Sequence, residues 1–226
     1  MKLRLSLAVL MMSVLTCGSA GAWGIPSISS ISNLTGMVTG GGGAAGADPD
    51  AFLAKARASE ALVNKSADQL FCLVTSKEEQ AKAEEQQKKI DATTDAKEKN
   101  ALIQEKVSSE VAAICQAAAD KKLEEEAKSW DASKKKLAMA SLFNLALGGK
   151  MAAELVPQGQ SLAGSIKSNP LLLLKVKSLY EAVKSLAGIG SGTVKILSAL
   201  PPVFSAANIE VKLPSSSAET AKVAEL

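Results

Sequence analysis

Residues 72–115 read CLVTSKEEQAKAEEQQKKIDATTDAKEKNALIQEKVSSEVAAIC, and the two cysteines bounding this stretch decide the fold. Their numbers sum to 187, which puts the midpoint between Thr93 and Thr94. Partners across an antiparallel helical hairpin have numbers of constant sum. The symmetry therefore predicts a hairpin folded at Asp91-Ala-Thr-Thr-Asp95, with a disulfide joining Cys72 to Cys115. Local chemistry agrees, because residues 91–95 are poor in helix formers and Asp95 followed by Glu98 makes a capping-box-like start for a return helix. One uninterrupted helix would hold the cysteines about 65 Å apart, at ~1.5 Å per residue, and forbid the bond. In the chain-entropy account a disulfide closing this 44-residue loop contributes about 4 kcal/mol, comparable to the stability of a marginal domain.

Working outward from the turn, residues 77–89 are only Lys, Glu, Gln and Ala. All are strong helix formers, and Glu78 to Lys82, Glu84 to Lys88 and Glu85 to Lys89 stand at the stabilising four-residue spacing. A helix polar all round has no face to bury, so this portion is expected to project into solvent as an arm. Nearer the body the pattern turns amphipathic. Asp48-Pro49-Asp50 is a helix start, and Phe52, Ala56, Ser59, Val63, Ser66, Leu70 and Leu73 follow at alternating three-and-four spacing. On the return, Ile103, Val107, Val111, Ile114, Ala118, Leu123, Ala127 and Trp130 continue a seam with one irregular step, between Ala118 and Leu123. With partners summing near 187, Leu73 is expected to face Ile114 and Leu70 to face Ala117.

The chain's two ends read differently. Lys2 and Arg4, an apolar run from Leu5 to Leu15 and the small-residue site Ala20-Gly21-Ala22 are the three parts of a secretory signal over residues 1–22. The run is short of the ~20 residues of a membrane-spanning helix. Cys17 would be the acceptor in a lipoprotein signal, but Val14 and Thr16 stand where such signals carry Leu and a small residue, which argues against lipidation. Export places the remaining two cysteines in an oxidising, periplasmic or extracellular compartment, where a structural disulfide is the rule.

Residues 23–47 carry no charge. They repeat an apolar residue every third position from Ile25 to Met37 and end in the Gly/Ala-rich stretch 40–47, which reads as a linker. At the other end, residues 137–149 are also uncharged and, being short, read as a buried helix. The chain from 48 to 156 is thus expected to form the helical hairpin. Pro157, Pro170, the glycines of 188–192 and Pro201-Pro202 divide 157–208 into short helices. Ile209 to Leu213 alternates like a strand that lacks a partner, and 209–226 is expected to be a flexible tail, polar from Pro214 onward.

The fold expected is all-α: a long antiparallel hairpin with a projecting polar tip, coiled-coil-like along its seam, packed on a small bundle of shorter C-terminal helices. Aromatic residues are 3% of the chain, so the core is built from Ala, Leu, Val and Ile.

Site chemistry is sparse. Histidine is absent, which removes the commonest general base and metal ligand. The formal net charge is +3, of which Lys2 and Arg4 supply two, so the mature chain has no electrostatic case for nucleic acid. Gly40 to Gly43 fail as a phosphate loop because neither a preceding strand nor a Gly-Lys-Ser/Thr accompanies them. Glu124-Glu125-Glu126 fan around a helix axis and cannot converge on one cation. No serine stands in the Gly-flanked strand-to-helix setting of a nucleophile, and Asn33-Leu34-Thr35 and Asn64-Lys65-Ser66 match the glycosylation triplet, which has meaning only in a eukaryotic secretory pathway. No catalytic, cofactor or metal residue is therefore assigned, and Cys72 with Cys115 is the one site.

The function expected is that of a non-enzymatic exported helical protein that binds other envelope or secreted proteins, as scaffold, adaptor or holdase. The alternative is a membrane-active, pore-forming helical protein whose uncharged stretches 23–47 and 137–149 insert into a membrane surface.

Overall fold

A computed structural model describes residues 48–166 and 173–222, and over these residues the chain is all α. In order the helices are α1 Pro49–Val74, α2 Lys77–Ala92, α3 Ala96–Ala119, α4 Lys121–Ala127, α5 Ala132–Ile166, α6 Leu173–Ala199 and α7 Pro201–Ala206. No strand occurs among the described residues, and Ile209 to Leu213 form none. The expected signal peptide and the uncharged segment 23–47 lie outside the described residues.

Short polar side chains set most of the helix starts. The Asp48 carboxylate accepts the Asp50 amide at 2.9 Å with Pro49 in the first turn, and Asp95 accepts the Glu98 amide at 2.8 Å, as the sequence predicts. Two further caps break what the sequence reading ran together. Ser76 accepts the Glu79 amide at 3.3 Å and separates α2 from α1. Asp120 ends α3 and caps α4 through the Lys122 amide at 2.9 Å, which accounts for the irregular step between Ala118 and Leu123.

The body is built on α1, α5 and α6, with α3 laid across α1 and α6 and the short α4 packed on α7. Contacts along α1 and α5 join Gln69 to Ser141, Ser59 to Gly148 and Phe52 to Gly159, pairs whose numbers sum to 210, 207 and 211, so the two helices run antiparallel. Gly149 meets Thr193 and Gly159 meets Val183, both summing to 342, so α6 is antiparallel to α5. At Gly148 the α1 backbone comes so close that an added Cβ would lie 3.2 Å from the Ser59 carbonyl oxygen and closer still to Val63, and at Gly159 it would strike the Phe52 ring and Val183. Small side chains thus let the helix axes approach, and the Ser59 hydroxyl donates to the Gly148 carbonyl at 2.9 Å across the contact.

The core falls into one large cluster and two smaller ones. The large cluster gathers Leu70, Phe71, Ile114, Leu145, Leu200 and Phe204 with their neighbours from α1 and from α3 to α7. A second, around Phe52, Leu155, Leu162, Leu179 and Leu186, closes the opposite end of the body, where Lys175 also pairs with Asp50 at 2.6 Å. A third, Ala58, Leu62, Phe143, Leu147 and Met151, is completed by Ala221 from the C-terminal segment.

Three expectations are corrected here. The helix partnering α1 most extensively is α5 rather than α3, because α1 buries two faces: Ala58, Leu62, Ala67, Phe71 and Val74 are buried beside the single seam read from the sequence. The C-terminal half is not a set of short pieces, since α5 runs straight through Pro157 and α6 through Gly188, Gly190 and Gly192. Pro157 is tolerated because it and Ala153, whose carbonyl it leaves without an intrahelical donor, both face solvent. The glycines of α6 are carried by Leu179, Leu186, Thr193 and Leu200, buried every seventh residue. Finally, residues 214–222 lie against α5 instead of trailing free. Pro214 and Ala221 are buried, and the Glu219 carboxylate gathers the Ser215 hydroxyl and the Ser215 and Ser216 amides.

Candidate functional site

The two residues singled out from the sequence lie on helices that pack together, Cys72 near the end of α1 and Cys115 on α3, both half-buried against the large cluster. No disulfide joins them among the described residues. The turn at Thr93 is where the sequence puts it, with α2 and α3 meeting across it. Its symmetry governs α2 against α3, however, and the break at Thr75 and Ser76 uncouples α1 from that register. Gln80 secures the break by donating to the Cys72 carbonyl at 2.9 Å and the Thr75 carbonyl at 3.1 Å.

The residues of α2 are polar apart from its alanines and Ile90. Ile90, just before the turn, is the one buried residue of α2, at 1% exposure. The rest of α2 is exposed or half-exposed, and Lys82 pairs with Glu78 at 3.4 Å and with Glu79 at 3.1 Å. Such solvent-screened pairs contribute little stability. They leave both signs of charge on the exposed surface of α2.

Beneath the arm, α3 and α1 enclose an ionic cluster that periodicity could not reveal. Glu110 is 5% exposed, and Lys106 lies 2.6 Å from its carboxylate and 3.4 Å from that of Asp68 on α1. Burial, then the negative charge of Asp68, push the Glu110 carboxyl up to about 7 despite the opposing pull of Lys106. Burial also works against the Lys106 charge, but the two carboxylates outweigh it and hold the ammonium above its ordinary value. The only signal in the sequence is the Lys106 to Glu110 spacing within α3; its pairing with Asp68 is a tertiary fact.

A carboxyl poised near neutrality suits proton transfer only where a substrate can reach it. The cleft of about 200 Å³ elsewhere on the body is lined by Met139, Leu142, Phe204, Ile209 and Val211 with charged neighbours, and contains none of Asp68, Lys106 or Glu110. Lys106 joins Glu110 on α3 to Asp68 on α1, so the cluster bridges the two helices. Among the described residues no group of acidic or cysteine side chains could hold a metal ion. The stretch 137–149, read from the sequence as a buried helix and, in the alternative, as an insertion segment, forms part of α5 with Ala140 to Gly148 all buried. No helix among the described residues is long and apolar enough to cross a membrane.

No protein-family model, no curated protein and no solved structure matches this chain.

Proposed function

We propose that the chain is a non-enzymatic exported helical protein that binds other envelope or secreted proteins through the arm formed by α2 and the first turns of α3, serving as scaffold, adaptor or holdase. The observation carrying this reading is the exposure of α2. Sixteen residues are held as a helix against α3 with a single buried side chain, a surface of alternating Lys and Glu that adds little to the core. A projecting helix of this kind offers charge complementarity and orientation to a partner. The secretory-signal pattern of residues 1–22 supports export. The lack of histidine supports binding over catalysis. The membrane-active alternative requires Ala140 to Gly148 to leave the core, and nothing in the arrangement of α5 favours it. In an oxidising compartment a Cys72–Cys115 bond would tie the base of the arm to α1. Peptide mapping of unreduced protein is expected to find that linked pair, and a map without it removes the bond from the proposal.

Photo-crosslinking amino acids placed at Glu85 and Lys88 test the arm, with exposed Lys184 on α6 as control. In the chain's own compartment both arm positions are expected to trap the same protein while the control traps none. No adduct from the arm, or the same adducts from all three positions, refutes the reading.

A further inference from the structure

The C-terminal segment Pro214–Lys222, PSSSAETAK, turns over Ser215 to Glu219 and is then held on α5 by contacts of a kind that recognise a peptide main chain. Asn144, 8% exposed, grips the main chain of Lys222 on both sides: its side-chain amide donates to the Lys222 carbonyl at 2.8 Å and its carbonyl oxygen accepts the Lys222 amide at 2.7 Å. Such a double bond to one residue's backbone fixes the direction and register of an extended chain without reading its side chain. Selectivity comes from the flanks. Ala221 packs into the cluster of Ala58, Leu62, Phe143, Leu147 and Met151, and the Lys222 ammonium lies 3.9 Å from the centre of the Phe143 ring. Upstream, Lys150 donates to the Ser215 carbonyl at 2.8 Å and Ser217 donates to Glu154. Asn144, Lys150 and Glu154 of α5 thus hold the tail at Lys222, Ser215 and Ser217.

The cover is nonetheless thin. Of the nine residues, only Pro214 and Ala221 are buried, so the segment sits at the low-stability end of the fold, where local opening is easiest.

We propose that the Asn144 face of α1 and α5 is a peptide-recognition groove for segments that leave a turn through a small apolar residue followed by a lysine, capped in cis by the chain's own tail and occupied in trans by the same tail of a second copy. The second copy follows from the contacts themselves, since its tail presents the identical backbone, alanine and lysine to an identical groove, and exchange of a weakly held terminal segment is a low-cost route to a pair. This reading is independent of the arm.

A fluorescent peptide of sequence PSSSAETAK, titrated into the full chain, tests the groove. Lys222→Pro in the chain removes the amide that Asn144 accepts and loosens the cis cap without touching the groove. The peptide is expected to bind that variant at least tenfold more tightly than the unaltered chain. Binding is expected to fall at least tenfold when Asn144→Ala is added, or when the peptide itself carries Lys222→Pro. Thermal melts of each variant within a few degrees of the parent establish that the fold is intact. Equal affinity for the capped and loosened chains, or affinity indifferent to Asn144→Ala, overturns the groove. For the trans occupant, isotopically heavy and light full chains are mixed and cross-linked through their amines. Linked peptides joining Lys222 of one isotope to Lys150 of the other are expected, and links confined to one isotope overturn exchange with a second copy.

Discussion

Replacing Glu110 with glutamine separates the work of one buried carboxylate from the rest of the fold. The Glu110 carboxyl rises from an ordinary value of 4.5 to about 7 in the folded chain, so between those values the native state holds a proton that the unfolded state has released. Its contribution to stability is therefore full below pH 4.5, declines as pH rises through that window, and is lost above about 7. At ~1.4 kcal/mol per pH unit, the gap amounts to about 3 kcal/mol. Glutamine cannot ionise, yet its amide oxygen still accepts from Lys106 and its amide nitrogen can donate to Asp68, as protonated glutamate does. Urea unfolding followed by helical circular dichroism, run on parent and Glu110→Gln from pH 4.5 to 8, gives two curves in which the groups outside the Asp68, Lys106 and Glu110 cluster cancel. The parent is expected to lose about 3 kcal/mol relative to the variant across the range. Curves that stay parallel to within ~0.5 kcal/mol would refute the assignment of a neutral carboxyl at the seam between α1 and α3.

Two further outcomes follow from packing. Gly148→Ala and Gly159→Ala insert a methyl group where Val63, or Phe52 and Val183, already stand, and each is expected to cost about 1–3 kcal/mol net in thermal or urea unfolding. Gly164→Ala, with nothing within 4 Å of the new carbon, is expected to gain up to ~1 kcal/mol from helix propensity in the same assay. Ile90→Ala removes the one side chain anchoring the end of α2, and hydrogen exchange is expected to accelerate across 77–95 while the amides of α5 keep their protection.

Much of the arm was legible in advance, because its features are local. The capping residue Asp95, the run of helix formers from Lys77 to Lys89 and the turn at Thr93 depend on neighbours within a few residues. The break at Ser76 is legible too, because Ser76 followed by Glu79 is a capping signature of the same form as Asp95 with Glu98. The continuity of α6 was written in the seven-residue spacing of Leu179, Leu186, Thr193 and Leu200, against which the glycines at 188, 190 and 192 weigh only as local penalties. What no local rule contains is the choice of partner. An apolar stripe on α1 fits α3 or α5 equally well as a pattern, and the close contacts at Gly148 and Gly159 exist only once α1 and α5 have met. The cluster of Asp68, Lys106 and Glu110 and the Asn144 contact with Lys222 join residues 38 and 78 positions apart at their closest bonds, so they exist only once the helices have met.

The distance along the chain between Ser59 and Gly148, 89 residues, bears on the order in which the molecule can form. A ribosome that has delivered α1 must synthesise α2 to α4 and the first half of α5 before the Ser59 hydroxyl finds its acceptor, so until then α1 has α3 beside it but not the helix it packs on most extensively. Closure of the body is thereby late in translation, because its widest seam joins segments far apart in the sequence.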